Sequence, residues 1–485
     1  MTNIVDETPR PVPGADALAT PASPGALTSP GTTAHRSAPL RVRPGRWLDG
    51  YDPEDHVQWE GEGRAIAGRN LRWSITAEFL GFVVWQLWSI TVVKLPAAGF
   101  HLTDTQLFWL ISMPALVGAT LRVPYTFMVP RLGGRNWTVV SALLLLVPTI
   151  GLASVVSRPE TPFWVLLVVA ATAGFGGGNF ASSMANITWF FPADRKGWAL
   201  GLNAAGGNLG AAVAQLVVPL AVTVGAAGTL RLPLAGWIWV PLILVAAAGA
   251  LWRMDNLSHA RGDLTGSLAA LREPHFWLLA VLYTGTFGSF IGFSGVFPKL
   301  IADLFPAYST VAVGTAALSL AFLGPLVGSL SRPYGGRLAD RFGGARITVV
   351  SFVAMAALAG ALAVTPPSVG FVPFLLLFLA LFLAAGIGNG STYRMIPAVY
   401  RVRADRRATA TGTVPVERMA AAALGLIAAV GAYGGFFIPQ ALAASRRATG
   451  GYTAAFDGFI AFYLLAVVLT WAAYLRRGAM SRAGV

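Results

Sequence analysis

Residues 122–134 read RVPYTFMVPRLGG, and residues 332–344 read RPYGGRLADRFGG. In each stretch an arginine is followed nine residues later by an Arg-x-Gly-Gly turn, and the two copies stand 210 residues apart. Two further matches keep nearly the same offset. GFGGGNF at 174–180 answers GIGNGS at 386–391, and Ala193-Asp194-Arg195 answers Ala404-Asp405-Arg406. Four matches at a near-constant spacing of 210 to 212 residues describe a chain whose second half repeats its first.

The surroundings of these repeats are apolar. Of 485 residues, 55% are hydrophobic and 12% are charged, and the mean hydropathy is +0.63. A soluble domain carries about 25% charged residues, so an ordinary soluble enzyme is excluded and a polytopic membrane protein is expected. Stretches able to cross about 30 Å of hydrocarbon fall near 71–95, 105–129, 137–157, 162–190, 198–222 and 232–252. Six more fall near 275–300, 311–334, 346–365, 370–398, 409–438 and 453–475. The expected organisation is a disordered tail over 1–46, with eight prolines by residue 44, then a first six-helix half over 47–252. A central loop over 253–274 and a second half with a short tail over 275–485 follow. Residues 47–70 read as an amphipathic lead-in at the membrane surface.

The net charge of +14 needs no nucleic-acid partner. With an even number of spans, both tails share one side. That side holds 25 of the 35 Lys and Arg residues, against six on the other: Lys94, Arg158, Arg231, Lys299, Arg446 and Arg447. Basic residues gather in cytoplasmic loops, so both termini are expected in the cytoplasm of a cell-membrane protein. No cysteine is present, and the five histidines are scattered. Disulfides, thiolate chemistry and metal sites are therefore not expected, nor is any cofactor.

Arg122, Arg332, Arg394 and Arg418 fall within spans or near their ends. Arg122 lies eight residues before Pro130, and Arg332 eight before Asp340. At 1.5 Å per residue each is roughly 12 Å into the bilayer. A buried arginine is costly there and marks a functional site by default. Deep acids able to neutralise the pair are few, Glu78 and Glu417 being the main ones. A guanidinium forks two donors onto paired oxygens. Two of them at matching depth suit a small, flat oxyanion such as nitrate, nitrite, formate or bicarbonate. The glycines of the 174–180 and 386–391 stretches read mainly as close helix contacts. They are no dinucleotide fingerprint, because no strand precedes them.

These motifs resemble the major facilitator superfamily, whose carriers are built as two six-span halves around a midplane site. Gly335 to Gly344 resembles the signature loop of that superfamily, with Asp340 and Arg341 as its gating charges and Pro130 replacing the acid in the first half. GGGNFASSMAN at 176–186 and GIGNGSTYRM at 386–395 resemble the two signatures of its nitrate/nitrite porters. Gly176, Gly178, Asn179, Gly388, Asn389 and Gly390 are the marker residues of those helices. Asn203 with Asn208 in span five, and the run from Tyr283 to Phe293 in span seven, also match. The resemblance covers roughly 70–480. It implies an all-α membrane fold of twelve transmembrane helices, with the anion gripped by Arg122 and Arg332. Asn208 and Tyr283 would donate hydrogen bonds, and Phe180 and Phe287 would wall the ion on its faces.

Two modes of transport stay open. Facing positive charges repel, so an anion-free carrier should reorient poorly, which favours nitrate/nitrite exchange. Proton symport needs a titratable group, and Glu78, about 12 Å into span one, is the candidate proton carrier. Arg394 stands where strict exchangers are expected to carry a neutral residue, which makes proton-coupled nitrate uptake comparably plausible. A monomeric carrier is expected, with a small inorganic anion and protons as its partners in the lipid bilayer. A carrier for another small anion or solute is the alternative. An enzyme is not expected, because the loops are short and hold no catalytic constellation.

Overall fold

The computed structural model describes residues 39–224, 230–260, 270–407, 416–476 and 485, the side chains at 404–407 and 416–422 excepted. Most of the tail expected over 1–46 lies outside these residues, as do part of the central loop and the side chains of Glu417 and Arg418.

Among the described residues, twelve long helical segments follow one another. The first half contains α1 (His56–Lys94), α2 (Asp104–Leu132), α3 (Gly134–Val155), α4 (Phe163–Ile187), α5 (Ala193–Thr223) and α6 (Leu234–Arg253). The second contains α7 (Pro274–Leu304), α8 (Leu323–Phe342), α9 (Gly344–Val364), α10 (Phe371–Arg403), α11 (Ala423–Thr449) and α12 (Thr453–Leu475). Among the described residues, eleven are long and apolar enough to cross a membrane. The twelfth, α8, has 20 residues that include Arg332, Arg337, Asp340 and Arg341.

The local signals for these boundaries are ordinary. Thr103 and Gln106 form a reciprocal capping box at the start of α2, satisfying donors that the first turn leaves free. Pro274 opens α7, where its missing N–H costs nothing. Gly133 (φ 88°) ends α2 and Gly343 (φ 90°) ends α8, and a side chain would strain either backbone. They stand at the repeat offset, so the duplication extends to backbone conformation. Exposed Trp164 and Trp237 near one end of the bundle, and Trp198, Trp252, Trp277 and Trp471 near the other, fit the aromatic belts of a membrane protein.

The halves meet along α2 with α11, α5 with α8, and α1 with α7. Exchanging the halves converts the first pair into the second and returns the third to itself, as a two-fold relation requires. Gln440 on α11 donates to Ser112 Oγ on α2 at 2.7 Å, and Gln215 on α5 donates to the Ser294 carbonyl on α7 at 2.6 Å.

Three expectations change. The span placed at 311–334 begins instead with a hairpin, β4 (Val311–Val313) paired with β5 (Ala316–Leu318), and only then enters helix. Gly314 (φ 60°) makes the turn. The residues at 39–46 are not all tail. β1 (Arg41–Arg43) pairs with β2 (Trp47–Asp49), which pairs with β3 (Asn256–Leu257) from the central loop. The lead-in buries several of its apolar side chains in the protein, with Leu48, Tyr51 and Trp59 packing with Ile187, Phe190, Phe191 and Leu257, while Val57 stays exposed. Asp255, buried beneath, is held by Arg46, Arg69 and Asn70. Together these residues cap the first half at the end that bears the termini.

Candidate functional site

Arg122 and Arg332 are both buried, at 0% and 5% exposure. Their guanidinium carbons lie 4.6 and 5.7 Å from the centre of one ring, that of Phe180. The repeat therefore delivers one cation from each half to a shared place between them. Arg122 donates through Nε to the Gly177 carbonyl (3.1 Å) on α4 and through Nη1 to the Ala428 carbonyl (2.8 Å) on α11. Arg332 donates to the Tyr283 hydroxyl at 3.5 Å. Among the described residues, neither arginine makes a hydrogen bond or close ion pair with a carboxylate, and Nη2 of Arg122 and Nη1 of Arg332 have no hydrogen-bond partner.

Phe180 and Phe287 face each other with centroids 6.1 Å apart and planes at 26°. The Arg122 guanidinium carbon is also 5.0 Å from the Phe287 ring. Tyr283 stacks on Phe287 at 5.3 Å and 16°. Tyr283 adjoins, and Phe287 lies within, a π-helical turn, Thr284–Gly288, inside α7, a distortion common at functional sites. Asn208, fully buried on α5, leaves both amide atoms without partners among the described residues.

Glycines hold the supporting helices close. A Cβ on Gly176 would sit 2.1 Å from the Gly81 carbonyl oxygen, and one on Gly178 2.7 Å from the Tyr125 ring. In the second half, a Cβ on Gly390 would sit 2.1 Å from the Arg332 carbonyl oxygen, and one on Gly388 2.8 Å from Thr286. Asn179 and Asn389 are buried, and their amides have no hydrogen-bond partner among the described residues.

Glu78 is fully buried on α1. Asn203 donates to its Oε2 at 2.6 Å and to Ser183 at 2.6 Å, while Oε1 has no partner among the described residues. Only a glycine fits at 207, where a Cβ would meet that oxygen at 2.4 Å. Among the described residues Glu78 makes no direct contact with either buried arginine, although both interact with it electrostatically.

Arg394 is not a third buried cation. It is 48% exposed and pairs with Asp340 at 2.5 Å, joining α10 to the last turns of α8. Asp340 and Arg341 lie in that helix and not in the loop beyond it. Three neighbours escaped the sequence reading. Tyr393 lies with its ring 5.2 Å from the Arg332 guanidinium carbon. Trp85 lies 5.3 Å from that of Arg122. The Ala428 carbonyl is the third. Trp85 follows Glu78 by seven residues, on the same helix face, and Tyr393 adjoins Arg394 in the second signature. Nothing in the sequence singles out a backbone carbonyl.

The sequence profile of the Major Facilitator Superfamily matches residues 77–439. The nitrate/nitrite transporter NarU of Escherichia coli (strain K12) is 42% identical over 89% of this chain and 96% of its own. The probable nitrate/nitrite antiporter NarK2 of Thermus thermophilus is 37% identical over 91% of this chain and 99% of its own. The chain belongs to the nitrate/nitrite porters of the major facilitator superfamily. Solved structures agree with this porter's fold. A bacterial homologue of the human lysosomal transporter Spinster, inward-facing and occupied, superposes with a TM-score of 0.58 at 18% identity, covering 83% of this chain and 96% of its own. The nucleoside transporter NupG gives a TM-score of 0.57 at 15% identity, covering 83% of this chain and 98% of its own. The porter is a multi-pass membrane transporter and not an enzyme.

Proposed function

We propose that this protein carries nitrate and nitrite across the cell membrane by alternating access, holding the anion between Arg122 and Arg332. One observation carries the proposal. The buried donors at Arg122 Nη2, Arg332 Nη1 and Asn208 Nδ2, without partners among the described residues, belong to residues singled out for anion binding. Phe180 and Phe287 form the walls of the slot, and Tyr283 orients Arg332. The 42% identity to NarU supports the substrate class.

The electrostatics suit a carrier that needs its anion. The common distances to Phe180 limit the separation of the two cations to about 10 Å, where the repulsion at an effective dielectric of about 20 is about 1.6 kcal/mol or more. An anion between them replaces repulsion with two attractions, which favours reorientation of the loaded carrier and hence exchange. Glu78 favours a second mode. A buried carboxylate that, among the described residues, has one oxygen without a hydrogen-bond partner and touches no cation directly can accept a proton as the anion binds, so proton-coupled uptake is compatible with the same site. The basic asymmetry of the loops supports cytoplasmic termini.

Nitrate uptake into proteoliposomes decides the mode. Vesicles are loaded with nitrite or left anion-free, each with and without an inward proton gradient. Uptake confined to nitrite-loaded vesicles establishes exchange. Gradient-driven uptake into anion-free vesicles establishes symport. No saturable nitrate uptake under any condition refutes the proposed substrate.

A further inference from the structure

At the end of the bundle opposite the termini, four charged side chains and a tyrosine join the halves. Asp104 opens α2 in the first half. Lys299 and Asp303 lie on α7, Arg446 on α11, and Tyr452 just before α12, all in the second half. Lys299, 4% exposed, donates to Asp104 Oδ1 at 3.0 Å and to both oxygens of Asp303 at 2.5 and 2.6 Å. Arg446 pairs with Asp104 Oδ2 at 3.0 Å and also with Asp303, which accepts from the Tyr452 hydroxyl as well. The Asp104 carboxylate therefore bridges two cations, one oxygen on each.

The second half alone contributes Lys299 and Arg446 against a single carboxylate, Asp303. It is one negative charge short, and Asp104 supplies that charge from across the interface. A carboxylate is a flat oxyanion with two forward oxygens. It is held here as the central site would hold its substrate, between a cation pair, and one of these cations, the Lys299 ammonium, lies 5.5 Å from the centre of the Phe108 ring. Opening this end moves α2 away from α7 and α11, carries Asp104 off, and leaves the two cations with unmet charge facing the solvent.

We propose that Lys299 and Arg446 form an outer docking site for a small planar oxyanion, which Asp104 fills in the conformation shown and vacates when this end opens. The choice of nitrate or nitrite as the ion rests on the proposed function of the central site. Asp104 then acts as an internal competitor. It closes the gate when no anion is docked, and an arriving anion displaces it and holds the gate open long enough to be passed inward.

Opposite effects from two substitutions separate this site from a plain lock. A lock is weakened alike by loss of either partner. For a docking site, Asp104→Asn removes the competitor and lowers the half-saturating nitrate concentration at this end several-fold. Arg446→Gln removes a ligand and raises it several-fold. Shifts in the same direction overturn the proposal.

The absence of cysteine from the chain allows a second readout that does not depend on turnover. In the Asp104→Cys variant, an anionic thiol reagent is expected to react several-fold faster than a cationic one of similar size, and nitrate should slow it in proportion to its occupancy. The same protection should persist when Arg332→Ala is added, because the central site is then disabled. Equal reactivity toward both reagents, or no effect of nitrate, overturns the docking site. Protection that vanishes with Arg332→Ala also overturns it, while leaving the central site standing. Protection that persists in a protein showing no nitrate uptake supports the docking site and counts against the transport proposal alone.

Discussion

Arg122→Lys keeps the buried charge and removes the geometry. The native guanidinium spends Nε and Nη1 on the Gly177 and Ala428 carbonyls and keeps Nη2 in reserve. A lysine has three donors at one point on a flexible stem. If its ammonium serves the two carbonyls, it cannot also reach the anion in the same geometry. If it serves the anion, two buried carbonyls lose their partners. Either way at least one hydrogen bond involving a charged group is lost, each worth about 1.5–3 kcal/mol, and one such loss sets the lower bound. At 1.36 kcal/mol per decade this predicts a rise of about 10- to 150-fold in the half-saturating nitrate concentration. The assay is uptake of isotopically labelled nitrate into proteoliposomes, with thermal stability of the purified variant as the control for folding. A well-folded Arg122→Lys protein within threefold of the parent would show that charge alone suffices, and the forked recognition would be wrong.

Other perturbations test the surrounding parts. Glu78→Gln retains an oxygen for Asn203 but cannot carry a proton, so gradient-driven uptake should disappear while nitrate/nitrite exchange continues; loss of both, or of neither, would remove Glu78 from proton coupling. Gly390→Ala places a methyl where the Arg332 carbonyl oxygen is 2.1 Å away, so α8 and α10 must separate. Overpacking of this kind costs about 1–3 kcal/mol, read as a lowered unfolding temperature together with reduced uptake, and an unchanged unfolding temperature would contradict the close contact.

Much of this site was legible because the duplication was. One offset of 210 residues placed Arg122 and Arg332 at matching depth before any tertiary contact was known, and it also carried the paired helix-ending glycines. The side-chain pairings were less accessible, because they depend on contacts between residues far apart in sequence. Lys299 and Arg446 counted only as loop charges, yet they meet Asp104, 195 residues before Lys299. Arg394 looked like another membrane charge until α8 brought Asp340 to it. The hairpin at 311–318 was hidden by its own composition. Its alanines and valines resemble a span, and only Gly314, followed by Thr315, marks the turn between two three-residue strands. The cap over the first half was missed for a related reason. An amphipathic segment has an apolar face whether it meets lipid or protein, and the partners at Phe190 and Leu257 come from distant parts of the chain.

Nitrate binding to the purified protein, measured by titration calorimetry for the parent, Arg122→Ala and Arg332→Ala, tests the central claim most directly. Saturable binding by the parent and its loss in both variants is the result expected of an anion held between the two arginines. Undiminished binding by either variant would contradict it.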